Sequence, residues 1–238
     1  MIRRLSLALS LLALINAAQA SASAIVIWPI DPVIKAGEQA ATLWLENKGN
    51  EPVTMQVRAF AWSQADGTDV LNAQDEVVAS PPIARVEAGK RQLVRIIRRS
   101  SNASVPEGAY RLVVDELPPP PPQGSEAPAA RLAVQMRYSV PLFTYTTADK
   151  GAPRLKVRVR TGEETPEITL VNTGTTHARL TNLRTVTGGH ETVLREGLVG
   201  YVLAGATMTV PLPAAAATAT GTLRVAVNGV DQSLTPDA

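Results

Sequence analysis

The stretch "ARLAVQMRYSVPLF", Ala130 to Phe143, decides how this chain is read. Leu132, Val134, Met136 and Tyr138 fall on one side of an extended backbone. Ala133, Gln135, Arg137 and Ser139 fall on the other. That period of two marks a strand with one apolar face. The preceding "LPPPPPQGSEAPA" cannot be a strand, because proline offers no amide to a ladder. A strand entered from such a loop, and running into Pro141, lies at a sheet edge or opens towards one. Exposed apolar edges are usually avoided, so this one needs a use.

The N-terminus says where that use takes place. "MIRRLSLALSLLALINAAQA" opens with Arg3 and Arg4, continues through an apolar run and ends in Ala18-Gln19-Ala20. This is the layout of a secretory signal peptide, residues 1–20, with a second cleavage option after Ala24. The apolar run is shorter than the roughly 20 residues a membrane span needs. The mature chain is expected to be exported, without membrane insertion after cleavage. The full sequence holds 23 Lys and Arg against 21 Asp and Glu, so losing Arg3 and Arg4 leaves 21 of each sign. That balance gives no basic face for a nucleic-acid partner. Cysteine is absent and there are two histidines, which excludes a thiolate catalyst and argues against a Cys/His metal site. An exported chain without disulfides is held by packing alone.

Both halves read as short strands separated by turns, the texture of all-β sandwiches. In the first half, "AIVIWPIDPVI" is an opening strand that Pro29 and Pro32 confine to an edge or to a switch between sheets. "QAATLWLENKG", "VTMQVRAFAWSQADG", the strand Gln92–Ile97 and "GAYRLVVDELP" follow, for about seven strands in all. "TTADKGAP", Thr146 to Pro153, is the expected hinge, giving domains at 21–147 and 148–238. In the second half "ITLVNTG" echoes "LWLENKG", which suggests two similar domains.

No enzyme motif stands out. There is no Gly-x-Ser-x-Gly, His-Glu-x-x-His or phosphate-cradling loop. His177 and His190 read as exposed polar side chains. Asp115 and Glu116 are adjacent in a strand, so they point to opposite faces and cannot pair on one substrate. They read as a strand end. Arg95, Arg98 and Arg99 in "RIIRRS" read as a solvated strand end, or else as a rim for an acidic partner. Pro118–Pro122 reads as a stiff connection rather than a polyproline ligand. No cofactor is expected.

Three segments together resemble the PapD-like periplasmic chaperones of pilus and fimbrial assembly. They are "SPPIARVEAGKRQLVRI" (Ser80–Ile96), "AYRLVVDELP" (Ala109–Pro118) and "RLAVQMRYSVPLF" (Arg131–Phe143). The likeness covers most of the first half and is weaker over the second. It implies two immunoglobulin-like β-sandwich domains set at an angle with a cleft between them. It also implies donor-strand complementation, for which this family is a standard example, as it is for the sandwich. Leu132, Val134 and Met136, continued by Tyr138, match the lent face. Implied partners are pilus subunits and an outer-membrane usher; the sequence leaves open whether the free chain also self-associates through the same strand. Pro81 and Pro82 match the region of usher contact. The chain departs from the family where an Arg and a Lys in the cleft commonly hold the subunit's terminal carboxylate. The matching positions are Asp31 and Pro141, and Tyr145 stands where the family often has an Arg. This marks a divergent branch. Arg137, Arg58 and Lys35 are the cations that could serve instead. The competing reading is an exported two-domain adhesin or binding module that works through its loops, with strand 132–138 an ordinary inner strand. A secreted hydrolase has no supporting constellation.

Overall fold

The computed structural model describes residues 24–100, 105–118, 135–149, 151–160, 166–212 and 221–236. The signal segment, Pro119–Pro122, Leu132 and Val134 lie outside these residues.

The chain is all-β and forms two sandwiches. In the first, one sheet runs β1 (Ile25–Trp28), β3 (Ala40–Asn47), β8 (Arg91–Arg98), β6 (Val77–Ser80). The other runs β2 (Val33–Ile34), β10 (Arg137–Tyr145), β9 (Glu107–Leu117), β4 (Val53–Ala65), β5 (Thr68–Asn72), with β7 (Ile83–Val86) also on β4. Among the described residues this half therefore has ten strands where about seven were expected. One extra strand, β5, follows the Asp66-Gly67 turn, and the other divisions arise at prolines. Pro29 and Pro32 cut the opening strand into β1 in one sheet and β2 in the other, and Pro81 and Pro82 separate β6 from β7. Proline cannot continue a ladder on both sides, so the chain changes sheet where it occurs. Between the sheets, Leu43, Leu45, Val94 and Ile96 meet Met55, Val57, Leu112, Val114 and Leu142. Each such side chain contributes about 1.5–3 kcal/mol on burial.

The second sandwich packs β11 (Leu155–Arg160), β12 (Glu167–Asn172) and β15 (Thr207–Pro211) against a second sheet. That sheet runs β14 (His190–Val202), β13 (Ala178–Thr187), β16 (Thr222–Val227), β17 (Val230–Leu234). Its core holds Ile168, Leu170, Leu180, Leu183, Leu223 and Val225.

The echoed Asn-x-Gly turns are the same device in both sandwiches. The Asn47 amide donates to the carbonyls of Glu51 (2.7 Å) and Val86 (3.0 Å), and its Oδ1 accepts from Gly49 N–H (2.9 Å). The Asn172 amide donates to Thr176 (2.8 Å) and Val202 (3.0 Å), and its Oδ1 accepts from Gly174 N–H (2.9 Å). Both asparagines are fully buried, and each satisfies two loop carbonyls from inside its sandwich. Gly174 has no substitute here, since a Cβ would stand 2.2 Å from the Ala152 carbonyl oxygen.

Candidate functional site

Two properties of β10 meet in one place: an open edge and a working outer face. β10 pairs with β9 along its whole length, from Arg137↔Asp115 to Tyr145↔Glu107. On its other side, among the described residues, it pairs only with β2, at Phe143↔Val33 and Thr144↔Ile34. Arg137 to Leu142 therefore keep a bare edge. The direction of the amides follows from neighbouring bonds. Phe143 N–H donates towards β2, to Pro32 O, while Thr146 N–H donates towards the β9 side, to Pro106 O. Odd-numbered amides therefore face the open edge. Arg137 and Ser139 offer donors there, and Pro141 offers none, which is why a proline is tolerated inside this strand. Pro141 is buried within β10 rather than ending it, because only the vacant side lacks its hydrogen bond.

On the apolar face expected for lending, Met136 is 40% exposed and Tyr138 is half-buried against the first core. Leu132 and Val134 lie outside the described residues. From Val140 onward the same face belongs to the chain's own core.

The opposite face of this sheet looks towards the second domain and grades from apolar to charged. At the apolar end Trp62, Phe143 and Tyr145 pack with Tyr201, Leu203 and Ala206 of the second sandwich. His177 lies flat on Phe143, with ring centroids 3.5 Å apart and planes within 4°. Its backbone N–H donates to Glu107 Oε1 at 2.8 Å, and its Nδ1 sits 2.8 Å from Glu107 Oε2. The Tyr145 hydroxyl also bonds Glu107. Burial, with that carboxylate beside it, pushes the phenol well above its ordinary range. Gln64 reaches across too, donating to Tyr201 O and accepting from Leu203 N–H, both at 2.9 Å. The Asp66-Gly67 turn, with positive φ at both residues, brings the β4–β5 hairpin against Thr209 of the second domain.

In the middle sits Arg111, in register with both Pro141 and Phe60. Its guanidinium carbon is 3.6 Å from the Trp62 ring centroid and 5.4 Å from that of Tyr201, and Asp69 is 3.4 Å away. Burial lowers its pKa below the ordinary arginine value, against the pull of Asp69. At the charged end Asp115 accepts from Arg58 at 2.6 Å and from Arg137. Burial alone would raise the Asp115 carboxyl; the hydrogen bonds from Arg137 and Arg58 outweigh it and hold the group below its ordinary value. A pocket of about 380 Å³ opens here, lined by Gln56, Arg58, Asp115, Met136 and Arg137 among others.

Several expectations change. His177 is not an exposed polar side chain: its side chain is 14% exposed and it joins the domains. His190 is exposed. Asp115 is not merely a strand end but the shared anion of two arginines. Of the substitute cations, Arg58 and Arg137 share Asp115, while Lys35 is exposed, its backbone N–H bonded to the Glu38 carboxylate. Asp31 is exposed between β1 and β2, and Pro81 and Pro82 are exposed between β6 and β7. Sequence reading passed over Glu107, Arg111 and Gln64. Arg111 left a trace, as a cation inside the apolar run "AYRLVV".

Residues 25–145 match the family of pili and flagellar-assembly chaperones, PapD N-terminal domain. The chain superposes with a TM-score of 0.69 on a chain of a crystal structure from Acinetobacter baumannii, the CsuC–CsuE chaperone-tip adhesion subunit pre-assembly complex from archaic chaperone-usher Csu pili. Identity is 28%, covering 90% of this chain and 100% of that one. Two curated Escherichia coli (strain K12) proteins are also similar. The uncharacterized fimbrial chaperone YbgP is 23% identical over 143 residues, 59% of this chain and 57% of that protein. The probable fimbrial chaperone YadV is 28% identical over 134 residues, 54% of this chain and 52% of that protein. The chain thus spans about half the length of these curated relatives. With its first sandwich matched from β1 to β10, the chain belongs to the PapD-like family of pili and flagellar-assembly chaperones.

Proposed function

We propose that this protein is a periplasmic chaperone that holds pilus subunits by donor-strand complementation and passes them to an outer-membrane usher, with its domains divided at residues 147 and 148. The observation that carries this reading is the bare edge of β10 from Arg137 to Leu142. A subunit strand laid on that edge gains main-chain hydrogen bonds whatever its sequence. Leu132, Val134, Met136 and Tyr138 enter its groove in alternation and fix the register. Three apolar side chains contribute roughly 5–9 kcal/mol gross, and the entropy of association takes back much of it. No bond is made or broken, so no catalytic residue belongs to this reading. Pro81 and Pro82 stand exposed as the usher contact.

The subunit carboxylate has a holder among the cleft residues. Arg111 is in register with Pro141 on the cleft face, and its one carboxylate, Asp69, is 3.4 Å away and half-exposed. Arg58 and Arg137 are already shared by Asp115, and Lys35 is exposed just after β2. We assign the role to Arg111.

Co-expression with a subunit and co-purification from the periplasm tests the proposal. Val134→Asp is expected to abolish capture while leaving the chaperone's thermal midpoint unchanged. Full capture by that variant would reject strand lending by this segment and favour a loop-based binding module.

A further inference from the structure

The second domain carries a charged feature that subunit capture does not use. β11 is the edge of its three-stranded sheet, and its side chains alternate strictly. Leu155, Val157 and Val159 pack on the core. Arg154, Lys156, Arg158 and Arg160 are all exposed, in a row on the outer side. Glu167 pairs with Arg160 at 3.2 Å. Arg154, Lys156 and Arg158 have no ion pair among the described residues.

This row is a local segregation of charge, not the by-product of a basic protein, because the chain without its signal segment holds 21 charges of each sign. Alternate strand residues stand about 6.6 Å apart. That is within the ~8 Å Debye length at physiological salt, so neighbouring cations repel one another and their fields add. Charged side chains commonly guard a sheet edge, but mixed signs would serve there without that repulsion. Its register neighbours are Val171 and Thr169 on β12 and Thr207 and Thr209 on β15, with the first domain's β4–β5 hairpin lying against Thr209 at the far side. These neighbours offer no large apolar side chain or aromatic to anchor a protein partner. Three unpaired cations spread along about 13 Å of an edge strand are complementary to an extended anionic surface.

We propose that the outer face of β11, through Arg154, Lys156 and Arg158, docks reversibly on the anionic headgroup surface of a phospholipid bilayer. An exported carrier confined to such surfaces searches for membrane-bound partners in two dimensions. The contact is electrostatic and peripheral, with no insertion, so salt weakens it steeply.

The test is co-sedimentation of the mature protein with vesicles. Phosphatidylglycerol–phosphatidylcholine vesicles at low salt should pull the protein down, and pure phosphatidylcholine vesicles should not. Lys156→Gln with Arg158→Gln should weaken binding about thirtyfold, taking the usual contribution of each basic side chain near such a surface. Arg85→Gln with Arg91→Gln, in the first domain, should leave binding unchanged. Both pairs are exposed, and a thermal midpoint matching the parent's confirms folding. Subunit capture by Lys156→Gln, Arg158→Gln should remain intact, which separates this inference from the proposed chaperone role. The proposal is overturned if the parent stays in the supernatant with anionic vesicles, or if the β11 variant binds as the parent does. Displacement by inorganic phosphate beyond that by chloride of equal ionic strength would also overturn it, since that behaviour marks a discrete phosphate site.

Discussion

Glu107 of the first domain and His177 of the second are joined by two contacts of 2.8 Å, one from a backbone amide and one from an imidazole nitrogen. The carboxylate is only 2% exposed, so water cannot replace either. Glu107→Ala would leave the His177 amide without an acceptor and remove the group that Tyr145 also bonds. Losing a hydrogen bond to a charged group costs about 1.5–3 kcal/mol. The variant should melt about 3–12 °C lower by calorimetry. A loosened joint should also widen the small-angle scattering profile. A variant with parental melting and scattering would show that the domains are held elsewhere.

Asp115 gives the chain a pH dependence of known sign. Its folded-state pKa lies below the unfolded value, because the bonds from Arg137 and Arg58 outweigh burial. Its stabilising contribution is therefore complete above the unfolded carboxylate pKa and is lost as pH falls through the lower, folded value. Asp115→Asn should be about 1–2 kcal/mol less stable than the parent at pH 7 in urea unfolding. The gap should close as pH falls below the ordinary carboxylate range. A gap that stays constant with pH would mean that the carboxylate's charge is not what stabilises.

The paired asparagine turns predict paired costs. Asn47→Ala strands the Glu51 and Val86 carbonyls, and Asn172→Ala strands those of Thr176 and Val202. Each should cost about 2–4 kcal/mol, and the double variant should lose their sum, since the two sites share no partner. Denaturant titration of the single and double variants measures this. A free substitution at either site would contradict the equivalence of the two turns.

Restoring a lysine at the cleft position should not help this chain. Pro141 lies directly opposite Arg111, and like charges facing each other across strands destabilise by up to about 1 kcal/mol. Pro141→Lys should therefore lower stability, and Arg111→Leu should relieve part of that loss in a double-mutant cycle. A cycle with no coupling would place the new ammonium away from Arg111.

The alternating strands, the sheet-switching prolines, the asparagine turns and the exposed Met136 edge were legible because each is a local pattern of period or turn chemistry. The strand count was less so, since a proline can divide one apolar run between two sheets. His177 was misread for a different reason. Its partners Glu107 and Phe143 lie 70 and 34 positions away, and nothing in "TTHAR" announces them. Arg111 was passed over likewise, because the Trp62 and Tyr201 rings that hold it come from different domains.

β10 is held unevenly along its length. Phe143 and Tyr145 sit in the aromatic joint and Thr144 pairs with β2, while its near end is held by β9 alone among the described residues. The well-held end lies only a few residues on, where the two domains meet. A subunit strand laid on the bare edge, as proposed, would therefore load a strand anchored at the seam between the two domains.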